Sequence, residues 1–386
     1  MTTILNMDRI VHTPGLGGEE DNTPVGTVES VKGKFNLACR FNFAADTRRG
    51  YFQAPVKAGP AWDEAAGLSF WVKGDGSPQW GGMELIARDN PRLRYQYEFS
   101  ISSTRWCKFE VPWCDFMPFL PDGEQLDPHG AQKPSHVGHL NFGKQSWWFE
   151  WPAHSFAIDQ IQLEPAIKID TTDYTPTGEP LARVREKLAH RRPIVIATMG
   201  DSLTSRYHWA NKELCWVDVL SHKLRVHVHA EVAVVNRCMG GHQLAHGLLQ
   251  MRRWLPSCPQ PDLITVWFGG NDWSDGMRRA PYEKRLRFAV DYIRRMTKGS
   301  PDIILMTTVP WLEIFEQNDI RELGDAVRTV AAEKKAAVVD MNAAFMRAGK
   351  DATKRASLYA WDKVHLDEYG HQVTAETVFQ RIVGGM

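Results

Sequence analysis

The feature that most constrains the fold of this chain is a change in hydrophobic pattern near residue 170. Before that point, short runs such as residues 67–73 and 94–100 alternate between apolar and polar side chains and are separated by Gly, Pro, Asn and Asp. Such runs are typical of antiparallel strands. After it, continuously apolar stretches such as residues 194–198 and 262–268 alternate with longer amphipathic ones. That pattern predicts a parallel sheet with helices on both faces.

The change of pattern predicts two domains, which suits a length of 386 residues. Residues 1–168 are expected to form an antiparallel β-sandwich, with Trp71 and Trp106 in its strands and core. Residues 169–190, rich in Thr, Asp, Pro and Gly at the start, are expected to be a linker. Residues 191–386 are expected to form a three-layer α/β/α domain around a five-stranded parallel sheet.

Composition excludes several classes of function. The chain has 46 basic and 46 acidic residues, which argues against binding to nucleic acid or to anionic lipid. No apolar run approaches the ~20 residues that span a bilayer, so no membrane association is expected. The amino terminus lacks a signal-peptide pattern, which predicts a cytoplasmic protein as written, or a secreted one if a signal has been removed. The six cysteines are scattered, which favours free thiols.

Most of the candidate catalytic residues follow the predicted strands of the second domain. Open parallel sheets form their active sites at these strand ends. Ser202 follows the first strand, a pair of glycines at 240 and 241 follows the second, and Asn271 follows the third. Asp362 and His365 stand three residues apart near the carboxyl end. A serine hydrolase needs a hydroxyl nucleophile, an imidazole base, a carboxylate that orients the base, and donors for the oxyanion. This set offers all four.

In order along the chain, Gly200-Asp201-Ser202-Leu203, the glycine after the second strand, Gly269-x-Asn271-Asp272 and Asp362-x-x-His365 resemble the four blocks of the SGNH/GDSL hydrolases. The resemblance covers residues 190–386. It implies Ser202 as nucleophile, His365 and Asp362 as the rest of a triad, and Ser202, Gly241 and Asn271 as oxyanion donors. Some enzymes of this type use a Ser-His dyad instead. The second block departs from the family, with His242 and Gln243 where Asp and Thr are frequent.

The first domain resembles the galactose-binding-like jelly rolls, to which carbohydrate-binding modules are related, through residues 68–76 and 106–118. A β-sandwich before an SGNH domain is similar to the arrangement of some carbohydrate esterases that remove acetyl groups from plant polysaccharides. The resemblance therefore implies an esterase acting on O-acetyl groups of an oligo- or polysaccharide, with no cofactor. A lipase, arylesterase or thioesterase, an acyltransferase, and a carbohydrate-binding protein with a vestigial hydrolase domain remain alternatives.

Four tryptophans are candidates for substrate binding. Trp273 and Trp361 adjoin the third and fourth blocks, and Trp147 and Trp148 lie in an aromatic loop of the first domain. That loop could stack on sugar or pack the first domain against the second. No histidine pair has the neighbours of a zinc site, so no metal is expected. Asp201 and Asp272 are interpreted as local hydrogen-bonding groups. Oligomeric state, the sugar polymer and the position of the acetyl group stay open.

Overall fold

The computed structural model of the protein describes residues 2–5, 7, 13–15, 26–45, 50–119, 124–144 and 152–384. The chain divides into two compact units, which we call the β unit (Met1–Asp170) and the α/β unit (Thr171–Met386). The division lies at the change of hydrophobic pattern. No helix among the residues just given combines the length and the apolar character that a membrane span requires.

The β unit is built from two antiparallel sheets. Its strands are β1 (Thr2–Leu5), β2 (Thr13–Gly15), β3 (Thr27–Lys32), β4 (Leu37–Phe43), β5 (Gly50–Pro55), β6 (Gly67–Gly74), β7 (Trp80–Ala87), β8 (Arg94–Ser100), β9 (Cys107–Pro112), β10 (Met117–Phe119), β11 (Val137–Lys144) and β12 (His154–Glu164), and a one-turn helix α1 spans Pro60–Asp63. One sheet has the order β3-β4-β12-β6-β9, with β1 also on β12, and the other has the order β10-β8-β7-β11-β5-β2. The predicted β-sandwich is confirmed.

The core of the β unit lies between the two sheets and is rich in aromatic side chains. Alternate residues of each strand point inward, so Phe41, Phe70 and Phe99 are fully buried. Trp62 and Trp113 stack in this core with ring centroids 5.9 Å apart. The structure corrects one expectation here, because Trp71 and Trp106 are only half-buried. Trp71 alternates with the buried Phe70 and Val72 and so lies on the outer face of β6, where Lys34 Nζ is 4.8 Å from its ring centroid. Trp106 lies just before β9 and not within a strand.

The α/β unit has five parallel strands in the order β14-β13-β15-β16-β17. They are β13 (Ile194–Gly200), β14 (Val232–Asn236), β15 (Leu263–Trp267), β16 (Asp302–Met306) and β17 (Ala337–Val339). The helices are α2 (Ala182–Ala189), α3 (Trp216–Val228), α4 (Leu244–Trp254), α5 (Gly270–Ser274), α6 (Arg279–Thr297), α7 (Arg321–Glu333), α8 (Met341–Ala348), α9 (Ala352–Ala356) and α10 (Glu368–Val383). β15 and β16 are buried along their whole length. The predicted α/β/α class is confirmed.

One part of the predicted linker is structured. Residues 182–189 form α2, and Val184 and Leu188 are buried in the same core as β13 and α10. Arg185 ties this helix to the carboxyl end of the chain by donating to the backbone carbonyls of Ile382, Arg381 and Gly384. The prediction missed this helix because the polar residues at 171–180 are typical of a linker, and the linker was extended through residue 190. The other domain limits, and the comparison of the β unit with carbohydrate-binding modules, stay predictions.

Candidate active site

The candidate residues of the α/β unit come together at the carboxyl ends of three neighbouring strands. Ser202 follows β13, Gly241 follows β14, and Asn271 lies in α5 after β15. Because β14, β13 and β15 are adjacent in the sheet, their carboxyl ends open onto one edge. His365 reaches the same edge from the loop before α10.

The centre of this edge is a chain of three hydrogen-bonded side chains, which we call the candidate triad. His365 Nε2 lies 2.8 Å from Ser202 Oγ, and His365 Nδ1 lies 2.5 Å from Asp362 Oδ2. An ionised carboxylate only accepts, so Nδ1 carries the proton and Nε2 is left to accept from the serine hydroxyl. Ser202 is 8% exposed, and the side chains of His365 and Asp362 are 17% and 20% exposed. Solvent therefore reaches the side chains of His365 and Asp362, and Ser202 is largely covered.

Backbone hydrogen bonds hold Ser202 in place. The side-chain amide of Asn211 donates to the carbonyls of Ser202 and Ser205, at 2.6 and 2.7 Å. The Asp201 carboxylate accepts the N–H of Leu203 at 2.9 Å, and its own carbonyl accepts two further N–H groups. The loop is therefore fixed by groups that lie beside the serine and do not use its hydroxyl. This confirms the local hydrogen-bonding interpretation of Asp201.

A tight loop presents His365 and Asp362. The N–H of Ala360 donates to the carbonyl of His365 at 2.8 Å, and Lys363 adopts a positive φ of 65°. Asp362 Oδ1 accepts the N–H groups of Val364 and His365 at 3.2 and 3.1 Å. Partial burial would raise the pKa of Asp362, but these donors and the His365 ring outweigh it and hold the pKa below its usual value. Asp362 is therefore ionised, and its negative charge lies next to His365, where it can stabilise a protonated imidazole ring.

Two backbone N–H groups of these loops have no partner among the described residues: neither Ser202 nor Gly241 uses its N–H in a hydrogen bond. A Cβ added to Gly240 would lie 3.7 Å from Ser202 Cβ, so the peptide that joins Gly240 to Gly241 is beside the serine. Gly241 has a φ of +77°, which a residue with a side chain adopts only with strain. The loop needs glycine at this position to turn its backbone.

Asn271 is held with its amide group in one orientation. Its Nδ2 donates to the carbonyl of His242 at 2.9 Å, and lies 3.5 Å from Asp201 Oδ2, at the limit of a hydrogen bond. The residue before its helix, Gly269, has a φ of +123°, and a Cβ there would meet Thr308 Oγ1 at 2.2 Å. Only glycine fits this exit from β15. One amide proton of Asn271 is thus committed, and the other is weakly held.

A buried charged pair lies behind these groups. Asp272 and Arg285 are almost completely buried and approach to 3.5 Å. Asp272 also accepts the N–H of Leu244 at the start of α4, so it caps a helix other than its own. Burial raises the pKa of Asp272 to about 6, although Arg285 opposes the rise. Burial likewise raises the pKa of Asp201 to about 7. These groups support the loops and do not contact solvent.

The predicted aromatic residues have different outcomes. Trp361 is 82% exposed and stacks on Trp209, with ring centroids 5.1 Å apart and planes at 27°. Trp273 is half-buried, and its described ring contacts are an edge-on approach to Trp311 and the guanidinium of Arg278. Trp147 and Trp148 lie outside the described residues, so their substrate-binding role stays a prediction.

Sequence reasoning missed His208 and Trp209, in the loop between β13 and α3. The ring of His208 stacks on that of His365 with centroids 4.0 Å apart, and Trp209 meets His365 edge-on at 5.8 Å. Burial and repulsion from His365 lower the pKa of His208 to about 4. The sequence did contain an indication of their role, because this aromatic pair begins six residues after Ser202, in the loop that follows β13. It was missed because the contacts of these rings with His365 join residues more than 150 positions apart in the chain.

Metal binding has no candidate site in the described part of the chain, where no group of three or more His, Cys, Asp or Glu side chains is arranged to hold an ion. His242 and His246 approach each other with ring centroids 5.1 Å apart. His246 Nδ1 accepts the N–H of Gln243 at the start of α4, which is a capping contact.

Comparison with known proteins finds a family match within the α/β unit. Residues 198–373 match the family described as GDSL-like lipases and acylhydrolases. The match lies within the α/β unit and spans the four sequence blocks, so the predicted resemblance to the GDSL hydrolases is confirmed.

Two curated relatives match the chain. An acetylxylan esterase of Geobacillus stearothermophilus is 29% identical over 167 residues, which cover 39% of this chain and 72% of the relative. A mannan endo-1,4-beta-mannosidase of Bifidobacterium adolescentis is 24% identical over 172 residues, which cover 44% of this chain but 17% of the relative.

Solved structures also match about half of the chain. An acetyl xylan esterase of Geobacillus stearothermophilus is 26% identical, with a TM-score of 0.41, over 50% of this chain and 96% of its own. A lipase/acylhydrolase of Enterococcus faecalis is 21% identical, with a TM-score of 0.41, over 50% of this chain and 96% of its own.

Proposed function

We propose that the protein is a serine esterase that removes O-acetyl groups from carbohydrate through an acyl-enzyme intermediate. The observation that carries the proposal is the continuous hydrogen-bond chain from Ser202 Oγ through His365 to Asp362, at 2.8 and 2.5 Å. A serine hydroxyl is a weak nucleophile until a base accepts its proton, and this geometry supplies the base within hydrogen-bond reach.

In the first half-reaction, His365 Nε2 takes the proton of Ser202 Oγ while Oγ forms a bond to the acetyl carbonyl carbon. The carbonyl oxygen becomes an oxyanion in a tetrahedral intermediate. When the intermediate collapses, the bond to the sugar oxygen breaks and His365 returns the proton to that oxygen. The sugar leaves with a free hydroxyl, and Ser202 carries the acetyl group.

In the second half-reaction, water takes the place of the sugar. His365 accepts a proton from the water as its oxygen attacks the acetyl carbon, and then returns that proton to Ser202 Oγ. Acetate leaves and the serine is regenerated. Asp362 keeps the His365 proton on Nδ1 and stabilises the imidazolium in both steps, because its carboxylate stays charged at neutral pH.

The oxyanion in both steps would be stabilised by three donors: the N–H of Ser202, the N–H of Gly241 and the side-chain amide of Asn271. The two backbone groups have no partner among the described residues. Asn271 is oriented by the His242 carbonyl, and its second amide proton, which is only weakly held by Asp201 Oδ2 at 3.5 Å, would strengthen a bond to the oxyanion as charge develops.

The choice of an acetylated carbohydrate rests on two supports. The first is similarity to an acetylxylan esterase at 29% identity, together with a mannan-degrading relative that shares a segment of this length. The second is the exposed ring of Trp361, which stacks on Trp209, the residue that in turn contacts His365. Aromatic faces of this kind bind the apolar faces of sugars.

The test is acetate release from acetylated xylo- and manno-oligosaccharides, set beside hydrolysis of acetyl, butyryl and octanoyl p-nitrophenyl esters. Ser202→Ala should lower kcat by roughly 10⁴-fold or more on every substrate. Ser357→Ala, which removes an exposed hydroxyl of the same unit, serves as the matched control and should leave kcat unchanged. Octanoyl hydrolysis faster than acetyl hydrolysis would contradict the acetyl specificity and leave the esterase in place.

A further inference from the structure

We infer that three aromatic side chains, His208, Trp209 and Trp361, form a binding surface for one pyranose ring of the alcohol half of the ester. We call these residues the aromatic wall. The inference rests on the proposed function and adds two residues, His208 and Trp209, and a defined ligand: a sugar ring whose acetylated oxygen lies at Ser202.

The aromatic wall begins at the candidate triad and ends in solvent. His208 stacks on His365 at 4.0 Å, Trp209 approaches His365 edge-on at 5.8 Å, and Trp361 stacks on Trp209 at 5.1 Å. Trp209 is 42% exposed and Trp361 is 82% exposed. Large aromatic side chains that remain this exposed beside a candidate active site are typical of a ligand surface.

His208 contributes polarity without charge. Its Nδ1 accepts the N–H of Ala210 at 3.3 Å, so the proton of the neutral ring lies on Nε2. Its Cδ2 atom, next to Nε2, is 3.4 Å from the position of a Cβ on Gly240, the glycine beside Ser202. This edge of His208 therefore adjoins the reacting centre. A neutral N–H donor there can bind a hydroxyl or ring oxygen of a sugar and does not repel the imidazolium of His365.

The shape of the wall favours a sugar over an acyl chain. An acyl chain is flexible and apolar on all sides, so its burial needs an enclosed groove. A pyranose is rigid, with apolar C–H faces and a polar edge, and one open aromatic surface with a nearby donor matches both. His208 and Ser202 both lie beside His365, at the end of the wall opposite the exposed Trp361. The ring is thereby oriented with an oxygen toward Ser202.

The test compares three acetate esters that differ only in the alcohol: an acetylated methyl β-xylopyranoside, cyclohexyl acetate and ethyl acetate. The proteins are the parent, Trp209→Ala, Trp361→Ala and Trp361→Phe, with Phe35→Ala as a matched loss of an exposed aromatic ring in the β unit. Each alanine variant of the wall should lower kcat/KM for the pyranoside about three- to tenfold, mainly through KM. Ethyl acetate should change less than twofold, and Trp361→Phe should restore most of the loss.

Binding supplies a readout that does not depend on turnover. Calorimetric titration of the acetylated pyranoside into Ser202→Ala should give a Kd that rises about three- to tenfold when Trp209→Ala or Trp361→Ala is added. Equal losses on ethyl acetate and the pyranoside would overturn the inference, because the wall would then only support His365. A larger loss on cyclohexyl acetate than on the pyranoside would also overturn it, in favour of an apolar pocket.

These failures are distinct from failure of the proposed function. A parent enzyme that hydrolyses ethyl acetate but not the acetylated pyranoside would contradict the carbohydrate substrate, and the inference would fall with it. A parent that hydrolyses the pyranoside with no sensitivity to Trp209 or Trp361 would leave the proposed function standing and overturn the inference alone.

Discussion

Each unit of the protein contains a series of hydrogen-bonded polar side chains. The series in the β unit lies within a sheet, and the series in the α/β unit lies in loops. In the β unit, Gln96, Glu84, Asn141 and Gln53 lie directly opposite one another on four adjacent strands, and we call them the polar row. In the α/β unit, the candidate triad lies in loops beyond the strand ends. The polar row is in the middle of a sheet, and the candidate triad is at an edge.

The comparison shows that access to solvent and ligand, as well as hydrogen bonding, distinguishes the candidate triad from the polar row. Glu84 is fully buried and accepts from Gln96, from Asn141 at 3.2 Å and from the hydroxyl of Tyr51 at 3.2 Å. Strand register fixes these partners and saturates the carboxylate. His365 has one partner on each ring nitrogen and is partly exposed. A ligand can therefore reach the candidate triad, whereas the polar row serves to hold strands in register.

Among the variants that separate the candidate triad from the polar row, we expect Asp362→Asn to have the largest effect on kcat. This change keeps the size of the side chain but removes the charge that holds the proton on His365 Nδ1, so the wrong tautomer would face Ser202. We expect kcat to fall about 10³- to 10⁴-fold with little change in Tm, measured by initial rates and calorimetry. A loss below tenfold would indicate a Ser-His dyad with a different orienting group.

A smaller effect on rate is expected from Asn271→Ala. The change removes one side-chain donor to the oxyanion, so kcat should fall about 10²- to 10³-fold while KM for an acetyl ester stays within about threefold. Asn342→Ala offers a comparison, because Asn342 is a buried asparagine of the same unit whose amide bonds Thr308 and Asn318. That variant should lower stability and spare kcat. A rise in KM alone for Asn271→Ala would contradict an oxyanion role.

The polar row should respond in the opposite way. Glu84→Gln preserves shape but replaces one acceptor by a donor that faces the amides of Gln96 and Asn141, so buried donors are left unpaired. We expect the unfolding free energy of the β unit to fall by about 2–4 kcal/mol, measured by denaturant titration, with kcat on ethyl acetate unchanged. Glu29→Gln, on an exposed partner of Arg40, is the matched control and should cost under about 0.5 kcal/mol. An unchanged stability for Glu84→Gln would mean that the row is not structural.

The smallest effect concerns pH. Because the pKa of His208 is lowered to about 4, its folded ring stays neutral while the unfolded ring is protonated between about pH 4 and 6.5. Its contribution to stability is therefore present above pH 6.5 and is lost as the pH falls toward 4. Asp201 and Asp272, with raised pKa values, act in the opposite direction over this range.

The measurement is therefore a difference between variants. Calorimetric unfolding near pH 5.3 in buffers of different ionisation enthalpy should show about one fewer proton taken up by His208→Gln than by the parent. At pH 8 the two proteins should take up the same number, because the imidazole is neutral in both states. Equal proton uptake at both pH values would mean that His208 is not shielded in the folded state.

Much of the fold and of the candidate site was predictable because local patterns carried it. The alternation in residues 94–100 predicted β8 with its bounds, and the continuous apolar run at 262–268 predicted β15 within a residue at each end. Ser202 and Asn271 were predicted because a parallel sheet brings strand ends to one edge, and His365 was predicted from the Asp362-x-x-His365 spacing, so neither prediction needed coordinates. Helix α2 was missed because its stability comes from burial of Val184 and Leu188 in a core formed by distant residues.

The sequence by itself determined the two fold classes, the order of the strand-end blocks and the residue types of an ester hydrolase, because periodicity and strand-end position are local properties of a chain. Only the tertiary structure decided which aromatic rings adjoin the candidate triad. Trp209 and Trp361 are 152 positions apart in the chain and stack because two loops meet above His365. Long-range packing of this kind leaves no periodic trace, which is why the sequence indicated Trp361 and passed over His208 and Trp209.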